Sequence, residues 1–205
     1  MVKAFYEHTF TDSVMGMQRD QGSDRLYAAA LDEDAPRDDR IGAAERQFIS
    51  LRDGFYQATV TPSGWPYVQF RGGPRGFLKV LDDQTLAYAD FRGNRQYISD
   101  GNIAADGRVA LILVDYPNSA RIKILGRAHL SEEPDLLGKL QDSTYRARVE
   151  RAVVIKVEAF DWNCPQHLPV RLTMEELQPI LAPFQQEMAQ LRAENAALKA
   201  RLGED

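Results

Sequence analysis

Between residues 55 and 162 the apolar positions fall in short runs separated by turn chemistry, and those runs predict strands. "FYQATV" and "PYVQFRGG" flank "TPSGW", which reads as a hairpin turn. "GFLKVL" and "TLAYAD" flank "DDQ", "RVALILVD" and "RIKILGRAHL" flank "YPNSA", and "ERAVVIKVEAFDW" is a later strand. Roughly six turn-separated strands with few long helices predict a mainly β, α+β fold. The expected architecture is an antiparallel six-stranded barrel with flanking helices, closed so that no strand edge is exposed. Ahead of the strands, "GAAERQFISLRD" predicts a helix that ends at Asp53-Gly54. Residues 1–40 read as a lead-in and linker, with one helical candidate, "DSVMGMQRDQGSDRLYAAA", and a solvated charged stretch, "DEDAPRDDR".

The period changes in the last segment, residues 173–205. From Pro183, read as a first helical residue, the positions Phe184, Met188, Leu191, Asn195, Leu198 and Leu202 recur at alternating steps of four and three. That is a heptad seam with Phe184, Leu191 and Leu198 at d and Met188, Asn195 and Leu202 at a. Glu187 would face Arg192 of a partner helix, and Glu194 would face Lys199. A single asparagine at an a position selects a parallel two-stranded register. The segment is therefore expected to be a C-terminal coiled-coil helix that supplements another dimer contact.

Composition removes several function classes. The 205 residues are 44% hydrophobic and 27% charged with a net charge of -5, the balance of a globular domain with appendages and no general attraction to nucleic acid or anionic membranes. A single cysteine, Cys164, excludes an internal disulfide and a cysteine-rich zinc site. "VALILV" is far too short to span a bilayer, and "MVKAFYEHTFTDSV" has no basic flank leading into a long apolar run, so a cytoplasmic protein is expected. His8, His129 and His167 are dispersed without metal-ligand spacing, and the acids of "DEDAPRDDR" lack the loop glycine and last glutamate of an EF-hand. No metal site is expected.

The chemistry concentrates in "YADFRGNRQYISDGN", residues 88–102, where a strand hands over to a helix through Arg92, Gly93, Asn94 and Arg95. Cations at such a corner either solvate a turn or hold an anion on the free N–H groups of the helix start. "GGPRGF" lacks the Lys-Ser/Thr of a nucleoside-triphosphate loop, "TPSGW" is no nucleophile elbow, and no dinucleotide fingerprint joins a strand to a helix. What remains is Gln69, Arg71, Arg95, Arg121 and Arg127 on or beside strands. Taken singly, each arginine is more often a surface residue than a ligand. Together they could close on one phosphate. The glycines of "FRGGPRG" would let the backbone approach a flat ligand.

The stretch from "GWPYVQFRGG" to "KILGRA", with "AFDWNCPQHL" downstream, resembles the pyridoxamine 5'-phosphate oxidase-related flavoproteins. These are split-barrel proteins that bind flavin mononucleotide (FMN) at a homodimer interface. The resemblance covers residues 41–172 and stops before the heptad tail. It implies that Gln69, Phe70 and Arg71 touch the isoalloxazine ring or its ribityl chain. "GNRQ" would stand for the family's Ser-Arg-Lys phosphate clamp, with Asn94, Arg95 and Gln96 in the three places. Gln96 removes one positive charge there, and Arg71 or Arg121 would supply it instead. Arg121 falls where the family uses a polar side chain of the next hairpin, and Trp162 and Arg171 resemble a Trp and an Arg that cross from the other subunit.

The function implied is an FMN-dependent oxidoreductase acting on a small molecule as a homodimer. True pyridoxamine 5'-phosphate oxidases carry an Arg- and His-rich segment that holds the substrate phosphate. Here "NCPQHLPVRLTMEEL" runs into the heptads instead, so that substrate is not expected. The alternatives are a flavin-binding sensor, carrier or assembly module without turnover, and a haem- or deazaflavin-binding split barrel. The scattered histidines argue against a haem ligand. His167 reads as part of a turn, and Tyr97 and Ser99 as helix surface or core.

Overall fold

The structure is a computed structural model that describes residues 3–32, 34–163 and 166–203. The chain divides into two compact units, one comprising Met1–Asp115 and Ala120–Pro165, the other Tyr116–Ser119 and Gln166–Asp205.

The first unit is built on one antiparallel sheet of seven strands: β1 (Gly54–Val60), β2 (Pro66–Gly72), β3 (Lys79–Val80), β4 (Thr85–Phe91), β5 (Arg108–Asp115), β6 (Ala120–Ser131) and β7 (Val149–Trp162). Their order across the sheet is β2-β1-β5-β6-β7-β4-β3. The predicted hairpins are all present; the quoted runs form seven strands against the roughly six expected, and "GFLKVL" contributes only the two-residue β3.

Alternation decides what each strand buries. On β5 the inward positions Val109, Leu111 and Leu113 are buried while their neighbours are not, the period of a strand with one face on a core. Ile122 and Ile124 of β6 and Val153, Ile155 and Val157 of β7 join them. β4 is buried on both faces. Leu86 and Tyr88 point into the barrel, while Ala87 and Ala89 lie under a helix, α6 (Pro134–Leu140), that closes over them with Leu140.

The expected closed barrel is not closed by its backbone. Among the described residues no ladder joins the end strands β2 and β3, because the two-residue β3 offers too few backbone groups to continue the sheet. Side chains close the seam instead. Phe55 of β1 meets Tyr88 of β4 edge-on at 5.3 Å, although three strands separate them in the ladder order. Tyr88 also donates its hydroxyl to Gln57 Oε1 at 2.8 Å. The sheet therefore curls into a split barrel, and its slit lies between β2 and β4.

The helices follow local signals. α4 (Ala43–Ser50) starts at Gly42, whose N–H donates to the Glu45 carboxylate at 2.9 Å, and ends just before β1 as expected. The lead-in is more structured than the single expected helix. α1 (Lys3–Thr9) buries Ala4 and Phe5 against Ala159 of β7. The 12–30 stretch is broken into α2 (Asp12–Asp20), α3 (Asp24–Tyr27) and a 3-10 turn, Ala28–Ala30, with Gly22 at φ 70° marking the break. Aromatic contacts of Tyr6, Phe10 and Tyr27, with ring centroids 4.2–5.6 Å apart, hold these pieces together.

In the second unit, α7 runs from Met174 to Leu202, 29 residues, and begins with a reciprocal cap between Thr173 and Glu176. The expected start at Pro183 is corrected by this cap: Pro179 and Pro183 both lie inside the helix.

Candidate functional site

The segment between β4 and α5 (Ile98–Ala105) builds one wall of a pocket at the barrel slit. Gly93, Asn94, Arg95, Gln96 and Tyr97 form the connection, and two of these non-glycine residues adopt left-handed backbone, Arg95 at φ 63° and Tyr97 at φ 51°. Such conformations are uncommon for residues with a Cβ and mark a constrained loop. Asn94 Oδ1 accepts from the Gln96 N–H at 3.1 Å, which pins the turn. Tyr97 precedes α5 without a side-chain cap, so its own side chain takes up none of the first N–H groups of that helix.

The facing wall comes from β2. Alternation sends Tyr67, Gln69 and Arg71 to the pocket side and Val68 and Phe70 to the opposite face. Ser99 donates to Gln69 Oε1 at 2.9 Å, leaving the Gln69 amide nitrogen as the donor it presents.

A charge network forms the floor. Arg71 Nη1 lies 2.9 Å from Asp90 Oδ1, and its Nη2 lies 3.6 Å from Asp100 Oδ1. Arg151 reaches the same two acids from the other side, 3.8 Å from Asp90 and 3.5 Å from Asp100. The ladder explains how β7 supplies this cation. Asp90 pairs with Arg151 but Phe91 pairs with Val149, so Glu150 is an extra residue at a β-bulge. Glu150 and Arg151, which a regular strand would send to opposite faces, both serve the network. Glu150 accepts from the Tyr97 hydroxyl at 3.1 Å and lies 3.5 Å from Arg92 and 3.7 Å from Arg151.

Burial raises the cost of these charges. Asp90 and Asp100 are 4% and 5% exposed. The Asp90 carboxyl is pushed up to about 6, first by burial and then by Asp100 beside it, against the pull of Arg71 and Arg151. Arg71 Nε and Arg151 Nε are buried without a hydrogen-bond partner among the described residues.

Five of the residues singled out from the sequence, Gln69, Arg71, Asn94, Arg95 and Gln96, line this one pocket. The other four lie elsewhere. Phe70 is on the outer face of the sheet, edge-on to Tyr56 at 5.3 Å. Arg121 sits on β6 opposite Val114, and Arg127, also weighed for the phosphate, pairs with Glu158 at 2.9 Å. Trp162 donates its indole N–H to Glu45 at 2.8 Å and packs edge-on against Phe48. Arg171 belongs to the second unit, where its guanidinium lies 5.0 Å from the Tyr116 ring centre. His167 is in that unit too, in a turn at φ 61°.

Two sequence readings need correction. Tyr97 and Ser99 are pocket residues with defined partners, not merely helix surface or core. Gly72 and Gly73 make room for the chain's own aromatic rings. A Cβ on Gly72 would meet Phe70 at 3.0 Å, and one on Gly73 would meet Phe77 at 2.7 Å. Asp90, Asp100, Glu150 and Arg151 were missed outright. For Asp90, Glu150 and Arg151 the signal was present as charge at positions where the strand pattern is otherwise apolar, in "YAD" and "VERAV", whereas Asp100 lies on α5 with no such signal.

The donor set suits an anionic ligand carrying a phosphate. Arg95 is exposed and, among the described residues, pairs with no carboxylate, so its charge is available in the loop. Arg71 is different, because Asp90 and Asp100 already balance its charge and leave only its donor geometry to a ligand.

Comparison with known proteins agrees with this architecture. A family model described as pyridoxamine 5'-phosphate oxidase matches residues 41–166. The HupZ structure of Group A Streptococcus is 18% identical, aligns over 64% of this chain and 99% of its own, and superposes with a TM-score of 0.50, which shows a common fold. Also similar are a candidate pyridoxamine 5'-phosphate oxidase from Lactobacillus delbrueckii (23% identity, 60% and 94% coverage, TM-score 0.46) and an FMN-binding protein from Syntrophomonas wolfei (16%, 58% and 83%, 0.47). No curated protein matches the chain.

Proposed function

The chain belongs to the pyridoxamine 5'-phosphate oxidase family, and from that premise we propose that it binds FMN at the barrel slit and acts as an oxidoreductase on a small molecule. The observation that carries the proposal is the convergence of Gln69 and Arg71 from β2 with Asn94, Arg95 and Gln96 ahead of α5 in one pocket. Arg95, the uncapped start of α5 and the Asn94 and Gln96 amides would hold the terminal phosphate. Gln69 and the Arg71 guanidinium would meet the ribityl chain or the ring edge. The bound flavin would supply the redox chemistry, while these residues bind and orient it.

A homodimer is part of the same reading. The outer face of β1 and β2 exposes Tyr56, Val68 and Phe70, the last at 57%, a cluster that supports packing of a second barrel. Trp162 and Arg171 would then serve the partner's flavin, from positions that their own contacts with Glu45 and Tyr116 stabilise.

The test is the spectrum of the purified protein followed by chromatography of the released chromophore. FMN is the expected result. Release of haem, a deazaflavin or a flavin dinucleotide would overturn the cofactor assignment. Reduction of the bound flavin by a nicotinamide nucleotide, with reoxidation by an acceptor, tests turnover separately.

A further inference from the structure

Helix α7 is an anomaly as a monomeric element. None of its residues is buried, yet it carries apolar side chains along its whole length, with Phe184 62% and Leu202 72% exposed. Extending the heptad count back to the observed start places Met174 and Leu181 at a and Leu177 at d, so every a and d position from Met174 to Leu202 is apolar except Asn195. The helix contains two interior prolines, each of which removes a backbone hydrogen bond. With no packed face and two missing bonds, such a helix has little to sustain it alone, since most helical stability comes from burial of an apolar stripe.

The prolines obey the same pattern. Pro179 falls at f and Pro183 at c, both on the side away from the seam. Their defects therefore face outward and leave the a and d surface continuous over roughly 43 Å at the usual helical rise.

We infer that α7 is an assembly helix that pairs with α7 of a second copy of this chain as a parallel, in-register two-stranded coiled coil. Charge complementarity selects the occupant. In the parallel pair, g faces e of the partner, which sets Glu187 against Arg192 and Glu194 against Lys199 twice over by symmetry. In an antiparallel pair g faces g, which brings glutamates together and sets Asn195 against an apolar d residue. Only the parallel register puts Asn195 opposite Asn195, where the two amides can satisfy each other inside the seam. The inference is independent of the flavin, because it uses no residue of the pocket.

Cysteine cross-linking of the full-length protein in a Cys164→Ser background tests it. Leu198→Cys, at d, is expected to form a disulfide-linked dimer readily under mild oxidation by diamide. Ala196→Cys, at the outer b position, is expected not to do so. Adding Leu191→Glu to Leu198→Cys should abolish the cross-link while the protein keeps its chromophore. Equal cross-linking at 196 and 198 would mean random collision of tails, and none at 198 would mean another orientation or another partner. Either result overturns the proposal and leaves the flavin assignment untouched.

Discussion

Arg71 on β2 and Asp90 on β4 meet at 2.9 Å across the slit of the barrel, between strands that share no backbone ladder. The contact is one of the bonds that hold the slit together. It is also the floor of the pocket, so the closure of the fold and the shape of the candidate site depend on the same pair.

Removing the cation should therefore harm the fold before it harms any ligand contact. Arg71→Ala leaves two buried carboxylates, Asp90 and Asp100, with Arg151 as their remaining partner. Breaking a buried pair from one side costs about 3–5 kcal/mol, and the surviving arginine places this variant near the lower end. Urea unfolding measures the loss. A variant as stable as the parent would show that the Arg71–Asp90 contact contributes nothing to closing the slit.

The same network should make stability depend on pH. Folded Asp90 keeps its proton up to about pH 6, whereas in the unfolded chain it ionises around the ordinary 3.8. Between these values the folded state binds more protons, so stability contributed by Asp90 is complete below the window and is lost as pH rises through it. Arg71 and Arg151 oppose this trend and Asp100 reinforces it. Asp90→Asn should flatten the downward slope in unfolding free energy across that range. An unchanged slope would assign the titration to another group.

The fold was legible because it is written in short-range pattern. Each hairpin could be read from alternation and turn residues, and α4 from its apolar spacing and its stop at Asp53-Gly54. The open slit was implied by the family resemblance but not legible in the strand pattern itself. It depends on side chains such as Tyr88 and Gln57 that lie far apart in sequence and meet only after the sheet curls. The start of α7 was misread because Pro183 is a good first residue, while the stronger signal, the Thr173–Glu176 cap, lay ten residues upstream.

A bulge on the other side of β7 offers a stability test away from the pocket. The β6–β7 register shifts between Leu125 and Gly126, and a Cβ at Gly126 would lie 2.4 Å from the Lys156 carbonyl oxygen. Backbone cannot move aside there as a flexible side chain could. Gly126→Ala should destabilise by about 1–3 kcal/mol, the usual range for overpacking. A thermal midpoint equal to the parent's would mean that the bulge relaxes freely.

In the site, "GNRQ" could be placed by its position between a strand and a helix, but its electrostatics could not. Arg71 read as a spare cation for the missing lysine, and the structure commits it to two acids. Those acids stand 19 and 29 positions away from it in the chain, beyond the reach of any local pattern.

That difference between the two arginines gives the sharpest test of the proposed phosphate contact. Arg95 is exposed, lies in the constrained turn before α5, and pairs with no carboxylate among the described residues. Arg95→Ala should therefore remove a charge-assisted contact worth roughly 1.5–3 kcal/mol, or about a tenfold to hundredfold loss of FMN affinity, with little change in urea unfolding. Arg92→Ala should weaken FMN less, because Arg92 already lies 3.5 Å from Glu150. Titration of flavin into the apoprotein, read by quenching of flavin fluorescence, separates the two. If Arg95→Ala binds FMN as the parent does while Arg92→Ala does not, the phosphate lies at the other side of Gly93 and the clamp has been assigned to the wrong arginine. If both variants bind normally, the loop before α5 is not the phosphate site, whatever the pocket around it holds.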